Sequence, residues 1–209
     1  MVQANTPDGK RDMSWDDMAD TWDTLPSVRA YSSGAFRSLS EVCAARGVSL
    51  DGARVIDFGC GTGLLTEAVA AQAQDVVGVD VSPAMVAVLQ GKGLPNVRVE
   101  CGELNDIIAR GGLPHGAFDL VVASSVCGFL ADYPAAVALL AARLAPGGLF
   151  IQWDWELDPT ADEPMGLTRD AIQDALVAAG LDDVVVDVGF HAPFEDMVMA
   201  PLRGVGRMP

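Results

Sequence analysis

The stretch Val55-Ile56-Asp57-Phe58-Gly59-Cys60-Gly61-Thr62-Gly63 constrains this chain more than any other. An apolar, β-branched lead-in reaches an acid, and glycines then fall on alternate positions. A helical pattern starts at once with Leu64-Leu65-Thr66-Glu67-Ala68-Val69-Ala70. This reads as a buried strand, a tight turn and a helix start. The turn needs residues without Cβ, because the backbone must bend sharply and let a ligand lie against it. The helix start offers N–H groups and the positive end of a dipole, which suits a carboxylate-bearing nucleotide or nucleoside ligand.

Spacing narrows the ligand. A dinucleotide fingerprint reads G-x-G-x-x-G, whereas this loop reads D-x-G-x-G-x-G with the acid at the strand end. An acid there repels a pyrophosphate and suits an ammonium group. The next strand, Asp75-Val76-Val77-Gly78-Val79-Asp80, ends in a second acid, placed where a strand-2 carboxylate meets ribose hydroxyls. A ligand with an amine, a ribose and no phosphate is described, and S-adenosyl-L-methionine fits it.

With those residues in place, the chain resembles the class I S-adenosylmethionine-dependent methyltransferases. The resemblance runs in order from Val55 to Ile151: VIDFGCGTGLLT, VVGVDVSPAMV, CGEL, FDLVVASSV and LAPGGLFI. It implies an α/β fold: a doubly wound, seven-stranded, mostly parallel sheet of order 3-2-1-4-5-7-6 with helices on both faces. The alternation of strand and helix patterns supports the same class. Residues 1–47 are expected to form an N-terminal helical lid segment and residues 48–209 one compact Rossmann-like domain.

Individual elements follow from local signals. Ser14 caps a first helix whose Trp15, Met18 and Trp22 share a face, and residues 1–13 read as loose. Pro26 reads as a break. A second helix is expected over Gly34–Arg46, ended by Gly47. A helix over Pro134–Leu144 precedes strand 5 at Leu149–Trp153, and the last strand lies within Met197–Gly206.

A formal net charge of −16 repels phosphate backbones and anionic lipid surfaces, so neither nucleic acid nor a membrane is an expected partner. Cys43, Cys60, Cys101 and Cys127 show no zinc spacing and read as reduced, mostly buried thiols; no metal is expected. The N-terminal residues carry no apolar run, no segment is long enough to span a membrane, and a cytoplasmic protein is expected. Whether the chain forms a homodimer stays open.

Cofactor contacts are expected from Asp57 (amino group), Gly59, Gly61 and Gly63 (backbone approach) and Asp80 (ribose hydroxyls). Val81 and Met85 are expected beside the adenine. The resemblance implies that Glu103, with Leu104 next to it, meets the adenine amine, although many members carry Asp there. Ser124, Ser125 and Val126 follow strand 4 and should line the transfer site. The (Asp/Asn)-Pro-Pro-(Tyr/Phe) motif of many base and glutamine methylating enzymes is absent at this point, which argues against base methylation. A small-molecule acceptor is therefore expected, walled by candidates Trp15, Trp22, Tyr31, Trp153, Trp155 and His191. Tyr31 and His191 are the candidate catalytic residues, and Asp154 and Glu156 flank Trp155. The alternative is a protein that binds S-adenosylmethionine or its demethylated product without catalysis.

Overall fold

The computed structural model describes residues 14–160, 165–194 and 197–209. Two helices, α1 (Trp15–Trp22) and α2 (Pro26–Arg46), precede the sheet. Alternating units then follow: β1 (Arg54–Phe58), α3 (Leu64–Ala70), β2 (Asp75–Asp80), α4 (Pro83–Gly91), β3 (Val97–Cys101) and α5 (Leu104–Ala109). After them come β4 (Phe118–Ser124), a 3₁₀ turn (Cys127–Phe129), α6 (Tyr133–Ala141), β5 (Leu144–Asp154), α7 (Arg169–Ala178) and β6 (Asp182–Val188). A small hairpin, β7 (Ala192–Phe194) and β8 (Met197–Met199), leads to the last strand β9 (Leu202–Arg207).

The main sheet has seven strands in the order β3-β2-β1-β4-β5-β9-β6. Counting only its own strands, this is the expected 3-2-1-4-5-7-6. β1 to β5 pair in parallel, and β9 runs antiparallel to both β5 and β6. The expected α/β doubly wound class therefore holds, and the β7–β8 hairpin is an addition that the sequence signals did not show.

Central strands feed two cores because successive side chains point to opposite faces. On β4, Leu120 and Val122 join the core built with α2 and α3, while Val121 and Ala123 join the one built with α5, α6 and α7. Both faces of the sheet are thus covered, which forces these strands to read as continuous apolar runs rather than alternating ones.

Helix boundaries follow capping chemistry. Ser14 and Asp17 form a reciprocal capping box on α1. The break at Pro26 holds, since α1 ends at Trp22, and Pro26 also begins a helix, at the first position of α2, where its missing N–H is not needed. α2 therefore starts a full two turns before the expected Gly34. Gly34 sits inside the helix because a Cβ there would lie 2.4 Å from the ring of Phe190. That ring in turn packs edge-on against Tyr31, with centroids 5.0 Å apart. α6 also ends earlier than expected, at Ala141, and β5 starts at Leu144, so Pro146-Gly147-Gly148 lies inside an irregular strand start instead of a loop. The expectation that residues 1–13 are loose falls outside the described residues.

Candidate active site

At the C-terminal edge of the parallel strands, beneath α1 and the start of α2, lies a cavity of about 850 Å³. Ligand sites of such sheets form there, where the strand order reverses between β1 and β4.

The bend after β1 is built by backbone bonds to its neighbour. Gly59 and Cys60 both donate N–H to the Val79 carbonyl, at 2.8 and 3.0 Å. Gly59 has φ +73, and a Cβ there would lie 2.5 Å from Val126, so only glycine lets the β1 and β4 loops meet. Gly61 has φ +52, and nothing lies within 4 Å of where its Cβ would be. Asp80 anchors this bend: its Oδ2 accepts the Gly61 N–H at 2.8 Å and its Oδ1 accepts the Ser82 N–H at 2.9 Å. Each carboxylate oxygen retains further acceptor capacity, and Asp80 lines the cavity.

Asp57 is buried at the end of β1 and lines the cavity. One of its oxygens accepts from the Thr66 hydroxyl at 2.6 Å, and the other, Oδ1, has no partner. Burial pushes its carboxyl up to about 6; the Thr66 hydroxyl bond offsets part of this and the Asp80 charge adds to it. An unpartnered buried carboxylate oxygen facing a cavity calls for a cationic donor.

Other expected residues also line the cavity: Val81, Met85, Glu103, Leu104, Ser124 and Tyr31. Val81 is 55% exposed and leaves apolar surface at the cavity wall. Glu103 ends the loop after β3 as the N-cap residue of α5, and its carboxylate makes no capping bond.

The far wall is aromatic. Trp15 packs edge-on against Phe129 and Trp22, with centroids 5.3 and 5.8 Å apart, and Tyr31 tilts against Trp155 at 5.5 Å. The Trp155 Nε1 donates to the Ser125 Oγ at 3.1 Å. Ser125 holds φ 55, a left-handed conformation costly outside glycine, which tips its side chain beside this wall. The Tyr31 hydroxyl donates to the Trp153 carbonyl at 3.2 Å, and burial, with the Asp154 charge behind it, holds its pKa well above the ordinary value.

Three expectations are corrected. Gly63 does not line the cavity; it is the left-handed N-cap of α3, and a Cβ there would lie 2.3 Å from Leu89. Trp153 is fully buried, its Nε1 donating to the Ser38 Oγ at 3.0 Å, because its place on β5 points it into the α2–α3 core. His191 is exposed and outside the cavity lining, since it lies between Phe190 and Ala192, both of which turn inward against the α2 core. Asp154 is buried and caps the 3₁₀ turn by accepting N–H bonds from Cys127 and Gly128 at 3.1 and 3.0 Å, while Glu156 is exposed and pairs with Arg169. Among the described residues no cluster is suited to a metal ion, and no helix is long and apolar enough to cross a membrane.

Sequence reasoning missed how α1 is fastened. The Ser82 hydroxyl donates to the Asp16 carboxylate, which also accepts the Ala84 N–H at 3.2 Å. At the other end, the Thr62 hydroxyl donates to Asp23, whose second oxygen lies 3.0 Å from the Lys92 ammonium. α1 is thus tied to the segments that follow β1 and β2.

The fold is a doubly wound α/β domain of the methyltransferase kind, with its cavity at the strand ends. Residues 56–150 match the family model described as a methyltransferase domain, and the chain carries the fold of class I S-adenosylmethionine-dependent methyltransferases. Over 99 residues it is 36% identical to the trans-aconitate 2-methyltransferase of Deinococcus radiodurans, covering 46% of this chain and 36% of that one. Over 108 residues it is 37% identical to a ubiquinone biosynthesis O-methyltransferase of Xylella fastidiosa, covering 50% and 43%. The matched stretch thus spans less than half the length of these relatives. An S-adenosylmethionine-dependent methyltransferase from Clostridium acetobutylicum superposes with a TM-score of 0.69 at 17% identity, covering 93% of this chain and 98% of that one. The cofactor of the family is S-adenosyl-L-methionine. The site fits it, with an unpartnered buried carboxylate oxygen for an ammonium, an open glycine bend and an exposed apolar shelf at Val81.

Proposed function

We propose that this chain binds S-adenosyl-L-methionine in the cavity and transfers its methyl group to a small organic acceptor. The unpartnered Oδ1 of buried Asp57 carries the reading, because it leaves an acceptor on the cavity wall that a ligand ammonium satisfies with a charge-assisted bond. Asp57 then receives the amino group, and Gly59 and Gly61 let the backbone approach the amino-acid part. The second lone pairs of the Asp80 oxygens accept the ribose hydroxyls. Val81 and Met85 flank the adenine, and Leu104 and the uncapped Glu103 carboxylate sit at its edge.

When bound, the cofactor supplies a methyl group already activated on a sulfonium, so alignment supplies most of the rate. The chain's contribution is to hold the acceptor in line and dry. Residues 14–47 act as the lid, with α1 fastened over the mouth and α2 supplying Tyr31. The chemistry of the two matched relatives, both of which act on small organic molecules, and the acidic surface both support an acceptor of that kind.

Calorimetric titration with S-adenosylhomocysteine and, separately, with NAD tests the reading. Micromolar binding of the former and none of the latter is expected, together with S-adenosylhomocysteine release from S-adenosylmethionine across an acceptor panel. Binding of NAD alone would overturn it, and tight homocysteine-form binding without transfer to any acceptor would leave a non-catalytic cofactor binder.

A further inference from the structure

Resting on the methyltransferase reading, we propose that the acceptor is an uncharged, flat aromatic amine, and that the cavity rejects carboxylate acceptors. The sheet order separates the two ends of the cavity. Asp80 and Glu103 follow β2 and β3 on one side of β1, whereas Ser125 and Trp155 follow β4 and β5 on the other. The second side carries the rings of Phe129 and Trp155, and Trp15 and Trp22 of α1 and Tyr31 of α2 also line the cavity, with Trp15 against Phe129 and Tyr31 against Trp155. The edge-on and tilted packing of these rings leaves flat apolar surface for an aromatic guest.

Charge sets the second requirement. The ionisable lining includes the carboxylates Asp57, Asp80, Glu103 and Asp132, and among the described lining residues none is Lys, Arg or His. Asp57, Asp80 and Glu103 lie toward the cofactor end, but Asp132 follows β4, so an anionic acceptor would enter on the side of Asp132 with no side-chain cation among the described lining residues to receive it. This separates the chain from a tricarboxylate-methylating relative despite their 36% identity, which lies in the shared 99-residue stretch.

Proton handling sets the third. A phenol must lose its proton to become a good nucleophile; among the described lining residues there is no histidine to take it, and the carboxylate on that side, Asp132, is engaged as the cap of α6, accepting the Ala135 N–H at 3.1 Å. The Tyr31 hydroxyl, held protonated by burial, is a donor to the Trp153 carbonyl and not a base. An aromatic amine carries its lone pair at neutral pH. Its nitrogen pair forms the new N–C bond as the C–S bond breaks with its electrons going to sulfur. The positive charge moves from sulfur to nitrogen, still among ring faces and carboxylates that favour a cation, and the N–H proton then passes to water. The Ser125 Oγ, held by the Trp155 indole, keeps a lone pair to accept an N–H of the incoming amine and so aims the nitrogen pair away from itself.

The test uses the full chain and three probes on one skeleton: naphthylamine, naphthol and naphthoate. Calorimetry with saturating S-adenosylhomocysteine reads binding, and methyl transfer is read separately. Naphthylamine is expected to bind at least about tenfold more tightly than naphthoate, and to be methylated at least about tenfold faster than naphthol near neutral pH. Ala135→Lys, an exposed change on the cavity wall, is expected to raise naphthoate affinity about tenfold. The ranking is expected to persist in Lys10→Gln/Arg11→Gln, whose positions lie outside the described residues. Ser125→Ala is expected to raise KM for the amine and leave S-adenosylhomocysteine affinity unchanged. Equal or tighter naphthoate binding, faster naphthol methylation, or binding of none of the three would overturn the proposal. Failure of S-adenosylhomocysteine itself to bind would instead overturn the underlying function.

Discussion

Lowering the pH is expected to weaken cofactor binding through a single carboxyl, Asp57. Burial raises it from 3.8 to about 6 in the unliganded protein. A bound ammonium favours the ionised form, so binding draws on the fraction of protein in which Asp57 is deprotonated. That fraction is about nine-tenths at pH 7 and about one-tenth at pH 5, so the apparent Kd rises about tenfold over that interval and about tenfold per pH unit below it. Stability moves the other way. A carboxyl whose folded pKa is raised binds more protons folded than unfolded between about 4 and about 6, so the unliganded protein gains stability as pH falls through that window. The full change is about 3 kcal/mol for a carboxyl shifted this far. Asp154, raised to about 6 by the same cause and only partly offset by the Gly128 and Cys127 N–H groups, adds to the stability effect. It is not among the cavity-lining residues and leaves binding untouched. Calorimetric Kd values for S-adenosylhomocysteine between pH 5 and pH 8, beside thermal unfolding of the unliganded chain, give both trends. Asp57→Asn keeps an acceptor for the Thr66 hydroxyl, lowers affinity about 10–100-fold near neutral pH and flattens the profile. A flat wild-type profile, or a drop that survives in Asp57→Asn, would refute the assignment.

The other expectations are briefer. Asp80→Ala removes both the ribose partner and the anchor of the Gly61 and Ser82 N–H groups. It should weaken cofactor binding at least about tenfold and lower stability by about 1–2 kcal/mol, read by calorimetry and thermal unfolding. Gly61→Ala should fold with about 1 kcal/mol of strain, since its Cβ meets nothing, yet lose cofactor binding. Gly63→Val, whose Cβ would overlap Leu89, should instead lose folded protein, as circular dichroism would show. Asp16→Ala/Asp23→Ala should release α1, seen as faster proteolysis near residues 23–26 and a raised Kd for S-adenosylhomocysteine; an unchanged cleavage rate would show that the two ties do not hold the lid.

What could be read from the sequence is what one contiguous piece of chain builds. The β1 strand, glycine bend and α3 start carry Asp57 and the open backbone at Gly61, and the strand-end acid Asp80 lies one unit on. Each needs only local periodicity and a φ that glycine alone adopts without strain. The start of α2 was hidden because Gly34 looks like a boundary, and its reason for being glycine is a ring that arrives from Phe190 near the other end of the chain. Asp16 and Asp23 were equally hidden, since their partners Ser82, Thr62 and Lys92 are brought to them only by the packing of α1 on α4. Two misplacements were avoidable. Trp153 shares strand parity with Leu149 and Ile151, which marks it as core-facing before any coordinates are known. His191 follows the strand that the expected order itself puts at the far edge of the sheet, several strands from the glycine bend. Yet its neighbour Phe190 reaches cavity-lining Tyr31, with ring centroids 5.0 Å apart, so the chain after β6 does fold back toward α2. What keeps His191 out is alternation: Phe190 and Ala192 turn inward to the α2 core, and the residue between them turns to solvent.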